Sequence, residues 1–270
     1  MNETIRTLTV DDIPAALQLS TLAGWNQTAG DWQLLLDLAP NGCFAIEAGG
    51  MVVASATLLS YGERLGWIGM VLTRPEYRHR GFAKKLFARV LEEADIIGIK
   101  TLKLDATDQG QPLYERYGFK IEQSVERWFR PACEKRQASG APAELADWHD
   151  LDAVAFGADR ARLLEMLRLR GQRFTNSDAY LFTRPGRVAA YLGQCVARSR
   201  AAARDVMTEA ISAPETREFF WDLLTSNQEA VKLADELGFS AQRRLTRMFR
   251  GEELRGRDEL VYAIAGFELG

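Results

Sequence analysis

A shift of 120 residues lays Gly118-Phe119 on Gly238-Phe239 and Phe129-Arg130 on Phe249-Arg250. The same shift brings Arg78 onto Arg198, Arg80 onto Arg200, Ala83 onto Ala203 and Leu104 onto Leu224. Between residues 64 and 130 it gives thirteen identities without a gap, where average composition gives roughly four. Ordered matches at one spacing constrain the fold more than any local pattern, because they require two related units in place of one large one. A length of 270 residues suits two domains of ordinary size. The stretch PACEKRQASGAPAE, residues 131–144, is rich in Pro, Ala, Gly and charge and reads as a linker. The expected division is a first domain over 1–130, the linker over 131–144 and a second domain over 145–270.

Within the first half the apolar spacing reads as helical from Asp12 to Leu38. Thr28 and Asp31 there have the spacing of a capping box ahead of Trp32, Leu35, Leu36 and Leu38. FAIEA and MVVASATLL flank Gly49-Gly50 as strand, turn and strand, and WIGMVL (67–72) is a third short apolar run. In the segment after it, Phe82, Leu86, Val90, Leu91 and Ala94 share one helical face. TLKLDA (101–106) reads as a strand, and QPLYERYGF (111–119) as a short helix stopped at Gly118. The order is that of an α/β fold.

The chemistry concentrates at RHRGFA (78–83), between the third apolar run and its helix. A helix that starts there leaves backbone N–H groups unpaired at the positive end of its dipole. Gly81 lets a ligand approach the main chain, and Arg78 and Arg80 add fixed charge. That combination suits a phosphate or diphosphate; a solvated basic turn is the plainer alternative. Neither a Walker loop nor a GxGxxG fingerprint is present.

Arg78, Gly81 and Ala83 after a strand resemble the acyl-CoA signature R/Q-x-x-G-x-G/A of the GNAT superfamily of N-acetyltransferases. PEYR (75–78) and LYERYGF (113–119) also look like that family, and the resemblance covers roughly residues 3–130. It implies an α/β (α+β) fold class, with each domain a mixed, mostly antiparallel sheet flanked by helices. It also implies acetyl-CoA as cosubstrate, its diphosphate on the amides of His79, Arg80, Gly81, Phe82 and Ala83 beside Arg78. The pantetheine arm is then expected along Val71, Leu72 and Thr73, paired as an added strand would be, with an N–H of that strand facing the developing oxyanion.

Transfer to an amine of pKa about 10.4 requires a deprotonation that costs roughly 4 kcal/mol at pH 7. It also requires a proton for the departing thiolate. Tyr114 matches the family tyrosine that protonates the CoA sulfur; Tyr117 is the alternative. Many relatives carry a glutamate on the strand before the CoA loop, where WIGMVL has none, so Asp105 and Asp108 are the nearest base candidates, Glu63 a weaker one, and deprotonation through water stays open. AGWNQTAGDW (23–32) makes Trp25 and Asn26 candidates for binding the acceptor, or else the turn and cap residues of a packed helix pair.

In the second half Gly81 becomes Ala201 and Tyr114 becomes Ala234, so that domain is expected to be shorter and degenerate. Asn227 and Ala230 resemble the family's loop after its fifth strand. Arginines 160, 162, 168, 170 and 173 interleave with leucines, as on a packed helix with a solvated face. A net charge of −3 disfavours a nucleic-acid surface. Three scattered cysteines and two distant histidines give no disulfide framework or metal site. The first residues lack a signal pattern and no apolar run has membrane-spanning length, so a cytoplasmic protein without a membrane partner is expected. The expected activity is acetyl transfer from acetyl-CoA to a primary amine of a small molecule, with a non-catalytic acyl-CoA sensor as the alternative. Oligomeric state leaves no mark in the sequence.

Overall fold

The computed structural model describes residues 3–132, 147–213 and 218–270, so most of the expected linker lies outside the described residues. The chain forms two compact units. The first runs to Leu104 and takes in Phe249–Glu252 and Leu269; the second comprises Asp105–Met248, Glu253–Glu268 and Gly270.

The first unit opens with β1 (Glu3–Thr7), α1 (Ile13–Leu22) and α2 (Ala29–Leu38). The capping box forms as its spacing requires: Thr28 Oγ1 accepts from Asp31 N at 3.3 Å, and Asp31 Oδ2 accepts from Thr28 N at 2.7 Å. β2 (Cys43–Ala48) and β3 (Met51–Tyr61) make the hairpin, turning on Gly49 and Gly50 with φ of 61° and 77°. β4 (Leu65–Thr73), α3 (Phe82–Ile96) and β5 (Thr101–Ala106, its last two residues in the second unit) complete the order β1-β2-β3-β4-β5. The first four strands pair antiparallel. β4 and β5 are parallel, so the chain must cross back between them through α3. Phe82, Leu86, Phe87, Val90, Leu91 and Ala94 form the buried face of α3. With Trp32, Phe44 and Trp67 they build the core.

The second unit begins with α4 (Gln111–Arg116) and β6 (Lys120–Arg130). There follow α5 (Trp148–Phe156), α6 (Ala161–Arg170), β7 (Gln172–Thr175), β8 (Ala179–Arg184), β9 (Ala190–Ala197) and α7 (Arg200–Ser212). β10 (Phe219–Leu224), α8 (Gln228–Glu236), β11 (Ser240–Gly251) and β12 (Val261–Ala263) finish the chain. The strands lie in the order β11-β6-β10-β9-β8-β7, with β12 on β9. Leu181, Val206, Met207, Trp221, Leu233 and Phe239 are central to the core.

The repeat is real in three dimensions, and each unit takes in chain from the other's half of the sequence. β6 belongs by sequence to the first copy, yet it pairs antiparallel with β10 from Val125↔Leu224 to Arg130↔Phe219. The matching end of β11 joins the first unit. There Glu252 N donates to Lys100 O at 3.3 Å and Thr101 Oγ1 donates to Glu252 O at 2.9 Å. Gly251 has φ +100°, and a Cβ on it would stand 2.0 Å from Lys100 O, so no larger residue fits. Two buried ion pairs repeat with the strands. Arg127 meets Asp222 bidentately at 2.7 and 2.6 Å, and Arg247, one repeat later, meets Asp105 at 2.8 and 2.9 Å.

Candidate functional site

In the first unit β4 and β5 stay paired only from Leu65↔Thr101 to Trp67↔Lys103. Beyond Trp67 no strand among the described residues pairs with that edge of β4, which leaves main-chain groups of Ile68 to Thr73 available to a ligand. The register of β4 against β3 also shifts here: Thr57 faces Gly69 while Ser55 faces Leu72. This bulge places Met70 at φ +49°, unusual for a residue with a side chain. Ser55, fully buried, donates its Oγ to Met70 O at 2.8 Å and holds the distortion. The one warning in the sequence is a serine inside the apolar run MVVASATLL.

After β4 the chain makes a 3-10 turn over Pro75–Tyr77 and then the basic loop. His79 has φ +63° and Gly81 φ +81°, so two left-handed residues bracket Arg80. Gly81 is the residue before α3, and no side chain caps the helix. Among the described residues the amides of His79, Arg80, Gly81, Phe82, Ala83 and Lys84 make no main-chain hydrogen bond; Lys85 N, donating to Gly81 O at 3.0 Å, is the first to close a turn. Residues 78–81 are exposed. A Cβ at Gly81 would meet nothing within 4 Å, so the glycine answers to backbone geometry and to whatever approaches from outside. Arg78 reaches back to Thr73 O at 3.4 Å, and the Arg80 guanidinium lies 4.8 Å from the Tyr77 ring centre. The result is a helix N-terminus with free donors and two fixed positive charges, which suits an anion.

The structure brings Val71, Leu72 and Thr73 together with Arg78, His79, Arg80, Gly81, Phe82 and Ala83 in one unit, as strand, turn and helix start. Trp25 and Asn26 lie between α1 and α2; Trp25 is half-buried and Asn26 is 1% exposed. Next to them Gln27 is buried, and its Oε1 has no hydrogen-bond partner among the described residues. Tyr114 lies in α4 of the second unit, buried beside Phe119, and burial pushes its phenol well above the ordinary range.

Asp105 does not carry forward as a base. Its side chain is fully buried and bound through both oxygens to Arg247. Burial raises its pKa, the guanidinium opposes that, and taking a proton from an incoming amine would strand the buried Arg247 charge. Sequence reasoning missed this because the partner stands 142 positions away. Among the described residues no cluster of His, Cys, Asp or Glu has the makings of a metal site. No helix there is long and apolar enough to cross a membrane.

Two family models match the chain: the acetyltransferase (GNAT) family over residues 11–119 and an acetyltransferase (GNAT) domain over residues 148–263. The uncharacterized N-acetyltransferase YitH of Bacillus subtilis (strain 168) is 30% identical over 165 residues, which are 58% of this chain and 57% of that protein. The match therefore spans little more than half of that relative. A crystal structure from Pyrococcus horikoshii, provisionally named an acetyltransferase, superposes with a TM-score of 0.87 at 23% identity, over 99% of this chain and 96% of that one. A tandem GNAT protein from the clavulanic acid biosynthesis pathway gives a TM-score of 0.62 at 18% identity, over 93% and 98% of the two chains. At those identities the structures speak for the fold alone.

Proposed function

From a chain that belongs to the GNAT acetyltransferase family and carries two GNAT domains, we propose an enzyme that moves the acetyl group of acetyl-CoA to a primary amine of a small molecule. The observation that carries this reading is the run of donor-only amides from His79 to Lys84 at the open start of α3, beside the unpaired edge of β4. The loop takes the CoA diphosphate, with Arg78 and Arg80 supplying charge. The pantetheine arm adds to β4 through main-chain hydrogen bonds, for which the plain side chains of Val71, Leu72 and Thr73 suffice. The bulge at Met70 re-aims the amides that follow it, and one of them faces the thioester oxygen as negative charge develops there.

In the reaction the amine nitrogen bonds to the acetyl carbon, the carbon–sulfur bond breaks, and the thiolate takes a proton. Tyr114 keeps the donor role that the family pattern implies, and burial keeps its phenol protonated at neutral pH. With Asp105 bound to Arg247 and no carboxylate on β4, the ammonium proton leaves through water or to Asp108 or Glu63, the other candidates of the sequence. Trp25 and Asn26 remain the acceptor candidates, joined by Gln27, whose buried carbonyl oxygen suits an ammonium donor.

The test is thiol release from acetyl-CoA across a panel of small amines, with CoA binding measured separately by calorimetry. Turnover with at least one amine is expected, as is loss of CoA binding in a folded Gly81→Val protein. The missing carboxylate on β4 favours a second reading, a sensor that binds acyl-CoA without turnover. Tight CoA binding with no thiol release across the panel selects it. Normal CoA binding by folded Gly81→Val removes both readings.

A further inference from the structure

The second unit repeats the fork of the first and fills it with its own chain. β9 and β10 run parallel from Ala190↔Phe219 to Leu192↔Trp221, a three-pair ladder like that of β4 and β5. β9 also shifts register against β8 between Leu181 and Thr183, as β4 does against β3. Beyond the ladder β12 enters, antiparallel to β9, with Ala263 opposite Cys195 and Val261 opposite Val196. β8 already holds the other edge of β9 at those two residues, so β12 takes the edge that faces β10.

Both arms of the fork grip the insert. From β10, the Trp221 indole N–H donates to Tyr262 O at 2.6 Å, and Asp222 O accepts from Ile264 N at 2.9 Å. On β9, a Cβ at Gly193 would stand 2.1 Å from Ile264 O, so the insert leaves no room even for a methyl group. Asn227 fixes the approach. Its Nδ2 donates to Asp258 O, Glu259 O and Val261 O at 3.3, 3.2 and 3.0 Å, while its Oδ1 caps α8 at Ala230 N, 3.1 Å away. The start of α7 is capped, unlike that of α3. Ser199 is the capping residue at φ −152°, and its Oγ accepts from Ala202 N at 3.2 Å. The Gly81-to-Ala201 alignment is thus displaced by a shorter turn, and a side chain satisfies one of the donors that α3 leaves open. Arg200 is engaged by Glu229 and Glu236, and Arg198 by Asp147.

We propose that the fork between β9 and β10 is a strand-binding groove whose resident occupant is the segment 258–264 of this chain, so that the protein binds one CoA and binds it in the first unit. The choice of CoA rests on the function proposed above; the occupancy of the groove does not. The full-length protein is tested by hydrogen exchange with and without CoA, and by calorimetry. Without ligand, the amides of 261–264 should exchange on the order of 100-fold more slowly than those of the more exposed stretch 252–257. Asn227→Ala should speed exchange at 258–263 about tenfold and leave CoA affinity unchanged. Saturating CoA should bind once per chain, protect 79–84, and leave 190–202 and 258–264 as they were. Two CoA molecules per chain, or CoA-driven protection of 193–202 with release of 261–263, would overturn the proposal. If CoA binds nowhere, the function proposed for the first unit fails, and exchange at 261–264 still decides the groove: rapid exchange there in the free protein overturns it.

Discussion

Gly81 sits at φ +81° with open space where a Cβ would stand, so alanine there meets backbone strain in place of a clash. Gly81→Ala should cost about 1–2 kcal/mol in stability, the penalty for an L-residue in the left-handed region, measured by urea unfolding. Its CoA affinity should fall at least about tenfold by calorimetry, since the amides that Gly81 aims then shift. Tyr114→Phe should lower kcat for thiol release while leaving CoA affinity nearly unchanged, and an unaltered kcat with chemistry limiting would remove Tyr114 from the mechanism. At the other end of the first unit, hydrogen bonding to Arg6 holds Asp12 at about 2, against the opposing effect of burial. A depressed carboxylate stabilises the fold above its unfolded pKa of 3.8 and loses that contribution as the pH falls through about 2. For a pair with Arg6 one-third exposed the gain is at most about 1 kcal/mol. Urea midpoints of Asp12→Ala should fall below wild type at pH 7 and converge with it as the pH drops below about 2.

β4 owes its usefulness to a defect. A regular strand would satisfy its main chain on both edges, whereas β4 leaves β5 after three pairs and carries Met70 in a left-handed conformation. Removing the hydroxyl that clasps Met70 O leaves a buried carbonyl without that donor, a cost of about 1–3 kcal/mol. Ser55→Ala should therefore lower the urea midpoint, and its kcat should drop about tenfold because the amides after the bulge lose their fixed direction. β6 and β11 carry their own device, an arginine on a buried face. Arg127→Met strands the Asp222 carboxylate, whose side chain is 1% exposed, and should cost about 3–5 kcal/mol in urea unfolding. Combining it with Asp222→Leu should recover most of that loss, because an apolar pair of similar size replaces a desolvated ion pair. A double variant as unstable as Arg127→Met alone would show that the pair does more than balance its own burial.

At the scale of the whole chain, each unit contains residues from the other's half of the sequence: β6 in the second unit, the end of β11 in the first. Unfolding the first half of the sequence strips β6 from the second unit, and unfolding the second half strips Phe249–Glu252 from the first, so denaturant should produce one transition, with tryptophan fluorescence and far-UV circular dichroism superimposing. Two separated transitions would contradict that coupling. Much of this architecture was legible beforehand. Thr28 and Asp31 announced α2, Gly49-Gly50 the hairpin, the apolar face of α3 its packing, and Gly118 with Gly238 the matching ends of α4 and α8, where φ is 82° and 81°. These signals are local: each rests on neighbours within a few residues and on backbone angles only glycine adopts readily. β6 escaped notice because Arg127 occupies a buried position of KIEQSVERWFR and breaks the apolar alternation, for the sake of a partner 95 residues away. The bulge at Met70, the bond between Asp105 and Arg247, the placement of β6 in the second unit and the filling of the second fork were equally out of reach. The amino-acid order by itself determined the repeat, because matches at a fixed spacing are visible without any fold, and the α/β elements and the basic glycine turn, because propensity and periodicity act over one or two turns of chain. Only the tertiary structure decided which fork stays open and which carboxylate is spent on an arginine, because those outcomes depend on strands that meet from far apart in the sequence.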